Sequence, residues 1–250
     1  MLMKDKLMVG LIILGILFSL PGSIAISAGY IPEKFYIHGV EGHPQMFSLS
    51  CEARSAADWA AFWGVRIRER KFLYDLPRSD NPDKGFVGNP NDPWGNVPPK
   101  SYGVHAKPVA DLLSQYGLQV EARKGVKWKD VQAEIAAGRP VIVWVVGQMW
   151  PGLPVRYTAS DGKTTIVATH EHTMILVGYT TDVVYGVDAY SGKTLAYSKT
   201  AFLKSWAALG QMVIVGQKKK PDTPLSTHKA PPGTFPPVFL PIIISPLNWK

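Results

Sequence analysis

The sequence predicts an α+β fold, in which a helical N-terminal half packs on an antiparallel β-sheet. Three observations lead to this prediction. Alanine-rich and apolar segments with helical spacing occupy much of residues 51–137. A run of mostly β-branched residues follows at 140–146. Beyond it, short strand-like segments alternate with turn residues, which is typical of antiparallel pairing.

The composition indicates a globular protein with room for one sizeable domain. The chain has 250 residues, of which 46% are hydrophobic and 18% are charged. The formal net charge is +8, but the basic residues are scattered, which is typical of a solvated basic surface. No glycine-rich phosphate loop, dinucleotide fingerprint or basic and aromatic stripe occurs in the sequence, so we expect no nucleic-acid partner.

The first 28 residues have the organisation of an export signal. Lys4 and Lys6 precede an apolar run, residues 7–20, which ends at Pro21. Two small-x-small sites follow, and the run is shorter than the roughly 20 residues of a transmembrane helix. We therefore expect residues 1–28 to be a signal peptide or an N-terminal anchor. The protein is then secreted or at the cell surface, with membrane contact only through an uncleaved N-terminal segment.

Helical segments dominate the first part of the expected domain, residues 29–216. Their apolar side chains recur at spacings of three and four, and glycine or proline ends each segment. Residues 77–104 contain many prolines, asparagines and glycines and are expected to form a long loop. The predicted elements are a short strand at 36–40, helices at 51–63, 67–75, 108–116 and 128–137, and a strand at 118–122.

Strand signals dominate the rest of the domain. Residues 140–146 have little polar content and predict a central, buried strand. A Ser-Asp-Gly-Lys turn at 160–163 predicts a hairpin. A proline-dense tail, residues 217–250, follows. The other predicted elements are the hairpin strands 155–159 and 164–168, strands at 172–179, 183–188, 195–198 and 212–215, and a helix at 200–208.

Cys51 is the only cysteine of the chain, and it lies at the predicted start of the first long helix. Unpaired N–H groups and the helix dipole at such a position favour thiolate over thiol. An exported protein with one cysteine has no internal disulfide, so the thiol is expected to be either well buried or useful. Composition alone leaves a buried structural role and a catalytic role open.

A nucleophilic cysteine needs a base, and the base needs a group that orients it. His172 begins an apolar predicted strand, and Asp188 ends the next one. Because the start of one strand of an antiparallel hairpin lies beside the end of the other, we expect His172 and Asp188 to be neighbours. Gln45 lies six residues before Cys51, where a side-chain amide can donate to a developing oxyanion.

These residues, in this order, resemble the papain-like cysteine peptidases. The resemblance consists of Gln45 six residues before Cys51 at a helix start, His172 followed six residues on by Gly-Tyr, and Asp188 after the next strand. The chain is most similar to the C39-like group, and the resemblance covers about residues 36–216. Three intervening segments also agree: residues 102–105, 116–118 and 138–143.

The resemblance implies a papain-like fold with a Cys-His-Asp triad. Cys51 would be the nucleophile, His172 the general base and acid, and Asp188 the orienter of His172. Gln45 would complete the oxyanion hole together with the backbone N–H of Cys51. The implied activity is that of a cysteine peptidase, an exported thiol hydrolase that cleaves the peptide (amide) bonds of a peptide or protein substrate. No cofactor and no metal are expected.

Two features depart from the C39-like pattern. The usual Cys-Gly-Pro is replaced by Cys51-Glu52-Ala53. The sequence also has no ABC transporter region, so leader removal coupled to export is not implied. A charge on Glu52 would raise the pKa of Cys51 if the two side chains were close. Because consecutive helical side chains point about 100° apart, we expect Glu52 to face away from Cys51.

Other interpretations of the same residues remain open. His170 and His172 would point the same way on a strand and could bind zinc, with His105 or Asp188 as a third ligand. A peptidase-like fold could also be a non-catalytic surface module that binds peptide or cell-wall components. The structural alternatives are a turn residue for Asp188 and an ordinary loop amide for Gln45.

Overall fold

An antiparallel β-sheet is the centre of the computed structural model, which describes residues 30–218. Its strands are β1 (Phe35–Tyr36), β2 (Leu118–Arg123), β3 (Val141–Val146), β6 (Glu171–Tyr179), β7 (Val183–Asp188), β8 (Thr194–Ser198) and β9 (Val213–Lys218). The strand order is β2-β9-β3-β6-β7-β8, and β1 pairs with β6. A separate two-stranded sheet pairs β4 (Val155–Thr158) with β5 (Thr164–Val167). From residue 31 the described residues form one compact unit.

Five helices accompany the strands within the described residues, so the predicted α+β class is confirmed. They are α1 (Cys51–Phe62), α2 (Glu69–Asp75), α3 (Ala106–Gln115), α4 (Trp128–Ala136) and α5 (Lys199–Ala208). The predicted elements agree with the observed ones to within two residues, except at β1 and β9. As predicted, residues 77–104 contain no helix and no strand of the two sheets. Two isolated β-bridges, Arg78 with Phe86 and Val87 with Gly103, lie within this loop.

The alanine-rich sequence of α1 allows it to pack closely on β6 and β3. Its four most deeply buried alanines occupy two successive turns and carry no side-chain bulk that would hold the strands away. The hydroxyls of Ser55 on α1 and Thr173 on β6 lie 3.0 Å apart. The indole N–H of Trp59 donates to the carbonyl of Pro140 at 2.7 Å, which anchors the helix beside the start of β3. These alanines are Ala53, Ala56, Ala57 and Ala60.

The register of β6 places its first residues beside the end of β7. His172 pairs with Val145 of β3, and Met174 pairs with Asp188 of β7. Because side chains two residues apart share a face of a strand, His172 lies diagonally across from Asp188 on the same face. Every residue of β6 is buried, and β3 and β7 flank this strand on its two edges.

The last residues of the long loop before α3 are hydrogen-bonded to the sheet. The indole N–H of Trp144 on β3 donates to the carbonyl of Val104 at 2.9 Å. Trp144 pairs with Thr173 in the ladder, so Gly103 and Val104 are brought to the end of the sheet where β6 begins. The loop therefore reaches the region where α1 and β6 meet.

Two predicted segments lie outside the described residues. The expected signal or anchor, residues 1–28, is one of them, and the proline-dense tail beyond Lys218 is the other. Strand β9 includes Gln217 and Lys218, which the sequence analysis assigned to the tail. No helix among residues 30–218 is both long enough and apolar enough to cross a membrane.

Replacing Trp59 with phenylalanine should destabilise the fold by about 1–3 kcal/mol, because the buried carbonyl of Pro140 loses its donor. Urea unfolding of the two proteins measures the difference in the free energy of unfolding. Leu153→Ala is the control, since this side chain is 82% exposed and its loss should change stability by no more than about 0.5 kcal/mol. Equal effects of the two substitutions would contradict the anchoring role of Trp59.

Candidate active site

A buried histidine–aspartate pair joins the start of β6 to the end of β7. Nε2 of His172 lies 2.6 Å from Oδ1 of Asp188, so the predicted contact between these residues is present. The other carboxylate oxygen of Asp188 accepts hydrogen bonds from the N–H and the hydroxyl of Ser191, at 3.0 Å and 2.6 Å. Burial acts to raise the pKa of Asp188, but the hydrogen bonds from His172 and Ser191 outweigh it and hold the pKa below its usual value. An ionised Asp188 fixes the imidazole and leaves Nδ1 as its available nitrogen.

An aromatic side chain from the long loop covers this pair. The ring centroid of Trp94 lies 6.2 Å from that of His172, and its indole N–H donates to the carbonyl of Glu171 at 2.7 Å. The Trp94 ring also contacts the ring of His170, at a centroid distance of 4.9 Å. The indole thus shields one side of the His172 imidazole from water, a contact that the sequence analysis did not assign.

Cys51 is the first residue of α1, and its side chain is buried. Its Sγ donates a hydrogen bond to Oε2 of Glu52 at 3.3 Å, rather than to His172. The expectation that Glu52 faces away from Cys51 is therefore wrong. The helical angle applies to the Cα–Cβ bonds, but the longer Glu52 side chain turns back, and Oε1 is held by the backbone N–H of Val104 at 2.6 Å.

The surroundings of the thiol favour its protonated form. Burial is the main cause that raises the pKa of Cys51 well above its usual value, and the charges of Glu52 and Glu171 add to it. A hydrogen bond from the Thr173 hydroxyl acts in the opposite direction. The position at the N-terminus of α1 therefore does not produce a thiolate by itself, contrary to the expectation from sequence.

Glu52 and Glu171 form a buried carboxyl pair beside Cys51. One ligand atom from each of these three side chains lies within 4.8 Å of the others. Two negative charges at that separation repel by about 3–4 kcal/mol at an effective dielectric of about 20, and both would also lose hydration. Burial raises the pKa of Glu52 to about 7 and that of Glu171 well above its usual value. Near neutral pH the pair therefore holds at least one proton.

The predicted oxyanion donor Gln45 already uses its amide hydrogens. Its Nε2 donates to the carbonyl oxygens of Phe47 and Ser48, at 2.7 Å and 3.0 Å. Its backbone N–H donates to the carbonyl of Ala189, one residue beyond Asp188, at 2.8 Å. The loop that carries Gln45 thus lies beside the histidine–aspartate pair, but donation to an oxyanion requires exchange of one amide hydrogen bond.

An ionic network that the sequence analysis missed fixes this loop against α1 and α2. Arg54 pairs with Asp58 one turn along α1 and with Glu69 of α2. The carboxylate of Glu69 accepts from the hydroxyl of Ser50 at 2.6 Å and from the N–H of Met46 at 2.8 Å. Only the i,i+4 spacing of Arg54 and Asp58 signals this network in the sequence, because the other contacts depend on where Glu69 of α2 lies.

The described residues do not assemble the zinc site considered above. His170 precedes β6 with a φ of +59°, so it does not continue the strand geometry that would align it with His172. The ring of His105 bonds to Asp83 at 2.7 Å. The one group of close metal-ligand side chains within residues 30–218 is Cys51 with Glu52 and Glu171. To hold a metal ion these three groups must lose their protons, which the raised pKa values oppose.

Substituting Gly103 with alanine should disturb the carboxyl pair. The added Cβ would overlap Oε1 of Glu52 and lie 3.2 Å from Oε2 of Glu171, and the φ of +121° already disfavours a side chain. Gly125→Ala is the matched control, because its φ is +67° and its Cβ would have open space. Urea unfolding should show that Gly103→Ala costs about 1–3 kcal/mol more than the control. Equal losses would mean that the Glu52 carboxyl moves aside freely.

The carboxyl pair should make the protein less stable as the pH rises. Raised pKa values mean that the folded state binds more protons than the unfolded state, so this contribution to stability is fully present below pH 4.5 and is lost as pH rises through about 7 for Glu52. Urea unfolding at pH 5 and pH 8 should show a smaller loss for Glu171→Gln than for the wild type. Glu134→Gln, a change at a carboxylate outside the pair, should leave the pH dependence as in the wild type. If the free energy of unfolding of Glu171→Gln falls between pH 5 and pH 8 as much as that of the wild type, the carboxyl pair is not the cause of the pH dependence.

Comparisons with known proteins agree with this architecture. Residues 37–214 match the model of the Peptidase_C39 like family. Among solved structures, a protein from Bacillus anthracis assigned as a C39-like peptidase has a TM-score of 0.67 and 21% identity, over 76% of this chain and 100% of that one. This likeness shows the fold. No curated protein sequence matches the chain.

Two further structures are less similar. The peptidase domain of Streptococcus ComA, a bifunctional ABC transporter, has a TM-score of 0.44 and 12% identity, over 72% of this chain and 100% of that one. Xylellain, a cysteine protease from Xylella fastidiosa, has a TM-score of 0.41 and 13% identity, over 76% of this chain and 88% of that one. The family match spans well over half of the sequence and includes Cys51, His172 and Asp188. The resemblance found in the sequence is thus confirmed, and the chain belongs to the Peptidase_C39 like family of cysteine peptidases.

Proposed function

We propose that the protein is an exported thiol hydrolase that cleaves peptide bonds with Cys51, His172 and Asp188, and with Gln45 as an oxyanion donor. The observation that carries the proposal is the His172–Asp188 pair, whose atoms lie 2.6 Å apart where α1 meets β6. The residue after His172 contacts α1 one turn beyond Cys51, because the Thr173 and Ser55 hydroxyls are 3.0 Å apart. A ligand atom of Glu171, the residue before His172, also lies within 4.8 Å of Sγ of Cys51, so Cys51 and the histidine–aspartate pair belong to the same end of β6, which supports the proposal.

The first half of the proposed reaction forms a thioester. Nδ1 of His172 takes the thiol proton, and the Cys51 thiolate attacks the carbonyl carbon of the scissile bond. A C–S bond forms, and the carbonyl electron pair moves to oxygen. The N–H of Cys51 at the start of α1 and the amide of Gln45, after exchange of one of its hydrogen bonds, donate to that oxyanion. When the intermediate collapses, the C–N bond breaks and the leaving amine takes the proton from His172.

The second half releases the acid product. His172 takes a proton from water, and the resulting hydroxide attacks the thioester carbon. The C–S bond then breaks, and Cys51 leaves as a thiolate, which recovers the proton from His172. Asp188 stays ionised throughout, so it stabilises the imidazolium each time it forms and keeps the ring in one orientation.

The N-terminal pattern supports the proposal that the enzyme acts outside the cytoplasm. Lys4 and Lys6, the apolar run and the small residues that follow are the features by which export signals are read. Peptide substrates are proposed because the family is a peptidase family. Fractionation of expressing cells, with Edman sequencing of the mature N-terminus, tests the export step independently of the chemistry.

The alternative is a peptidase-like module that binds peptide or cell-wall components without cleaving them. The observations that favour it are a thiol only 4% exposed, with a raised pKa, and a Gln45 amide engaged in two hydrogen bonds. In this alternative the protein binds its ligand, and no product forms.

Changing Cys51 to alanine should abolish peptide hydrolysis, because no other thiol is present in the chain. His172→Ala should lower kcat/KM by at least about a thousandfold through loss of the base. His38→Ala is the matched control, because that histidine is exposed and outside the site. A quenched fluorescent peptide library, read by mass spectrometry, measures the rates and the cleaved bonds. Hydrolysis that survives in Cys51→Ala would refute the assignment, and peptide binding without turnover by the wild type would favour the alternative.

A further inference from the structure

Glu52 touches the nucleophile of the proposed reaction. Its Oε2 lies 3.3 Å from Sγ of Cys51, and its Oε1 accepts the backbone N–H of Val104 at 2.6 Å. The hydrogen bond from Val104 fixes which carboxyl oxygen faces the sulfur. Any proton shared by the thiol and the carboxyl group therefore moves along one short line between Sγ and Oε2.

The reactive thiolate and an ionised Glu52 are incompatible at this distance. Two adjacent negative charges in a buried site repel strongly, and a thiolate with no donor would also be poorly solvated there. A protonated Glu52 removes both difficulties, since it carries no charge and its O–H points at the sulfur. The thiolate–imidazolium pair of Cys51 and His172 is thus compatible only with the neutral acid.

A second observation concerns Glu171, the other member of the carboxyl pair. This side chain is 2% exposed, and within the described residues its Oε1 has no hydrogen-bond partner. A buried carboxylate oxygen without a donor is costly, whereas a neutral carboxyl group in the same place costs much less. Glu171 therefore stays neutral and adds no negative charge beside Sγ, and burial is the main cause that raises the pKa of Glu52.

We propose that Glu52 is a further catalytic residue, which in the reactive state of the site is protonated at Oε2 and donates a hydrogen bond to the Cys51 thiolate. This inference rests on the proposed function, because it describes the same nucleophile. The proton that leaves Sγ goes to His172, as before, and the positive charge of the imidazolium then stabilises the thiolate, so the proton on Glu52 stays on Oε2 in the hydrogen bond to Sγ. No additional bond forms or breaks, so the balance of the reaction is unchanged.

The proposal predicts a peptidase that works best at acidic to neutral pH. When Glu52 ionises, the thiol proton is held in the hydrogen bond from Sγ to Oε2, and the thiolate is lost. Other titratable groups also face this position. They are Glu171 and His172 from β6, Asp188 from β7 behind His172, and Tyr102 from the long loop, whose phenol is kept neutral because burial raises its pKa.

The test is the rate of alkylation of the single thiol by iodoacetamide between pH 4.5 and 9, followed by intact mass spectrometry. In the wild type the rate should fall as the pH rises above about 7, the pKa of Glu52. Glu52→Gln mimics the protonated acid at every pH, because its amide oxygen can accept from Val104 and its NH2 can donate to the sulfur. At pH 8 this variant should react at least about tenfold faster than the wild type. Glu134→Gln, the matched control, should follow the wild-type profile.

Two results would overturn the proposal. One is a wild-type rate that rises steadily through pH 7 to 9, as for an ordinary thiol. The other is a Glu52→Gln variant that folds, by circular dichroism, but reacts more slowly than the wild type at every pH, which would mean that ionised Glu52 is the base. If the variant does not fold, the wild-type profile alone decides. Peptide hydrolysis is assayed in parallel: the expected alkylation profile without hydrolysis refutes only the proposed function, and hydrolysis with a rising profile refutes only this inference.

Discussion

The close approach of α1 to β6 is the constraint on which the site depends. Alanines form the buried face of α1, so the helix axis lies near enough to the strand for Ser55 and Thr173 to touch. A larger side chain at Ala53 or Ala56 would move the start of the helix away from the sheet, because the interior has no room for added volume. The contact between the candidate site residues of α1 and those of β6 thus depends on the small size of the alanine side chains, which are not site residues themselves.

The same approach creates the electrostatic problem of the site. It places Cys51 and Glu52 of α1 against Glu171 of β6, three acidic groups with little access to water. Such a cluster cannot be fully ionised, so protons become part of its structure. The histidine–aspartate pair lies at the same end of β6 with the opposite preference, since its hydrogen bonds keep Asp188 ionised. Neighbouring carboxyl groups are therefore held in different charge states. Burial favours the neutral form of Glu52 and Glu171, whereas hydrogen-bond donors favour the ionised form of Asp188.

The part of this arrangement that could be predicted from the sequence is the part set by chain periodicity. Strand alternation and hairpin geometry suffice to bring His172 to Asp188, and alanine content suffices to predict α1. The contact of Glu52 with Cys51 could not be predicted, because it depends on side-chain torsions and on the N–H of Val104, which a long irregular loop delivers from 52 residues away. Glu171 was visible only as the neighbour of His172. The contact of Glu171 with Cys51 and Glu52 depends on where α1 packs against the sheet, which local sequence patterns do not predict. The Arg54 network was missed for the same reason.

On the proposed roles, a buried Cys51 and a reactive Cys51 are not alternatives. A thiolate exposed to an oxidising compartment is the form that oxidants attack, whereas a protonated and enclosed thiol reacts slowly. If the protein is exported, as proposed, the carboxyl pair keeps Cys51 in the protonated form until protons neutralise Glu52. Burial and catalysis then belong to two protonation states of one site. On the proposed roles, Glu52, which replaces the usual glycine after Cys51, would protect the single unpaired cysteine of an exported protein from oxidation.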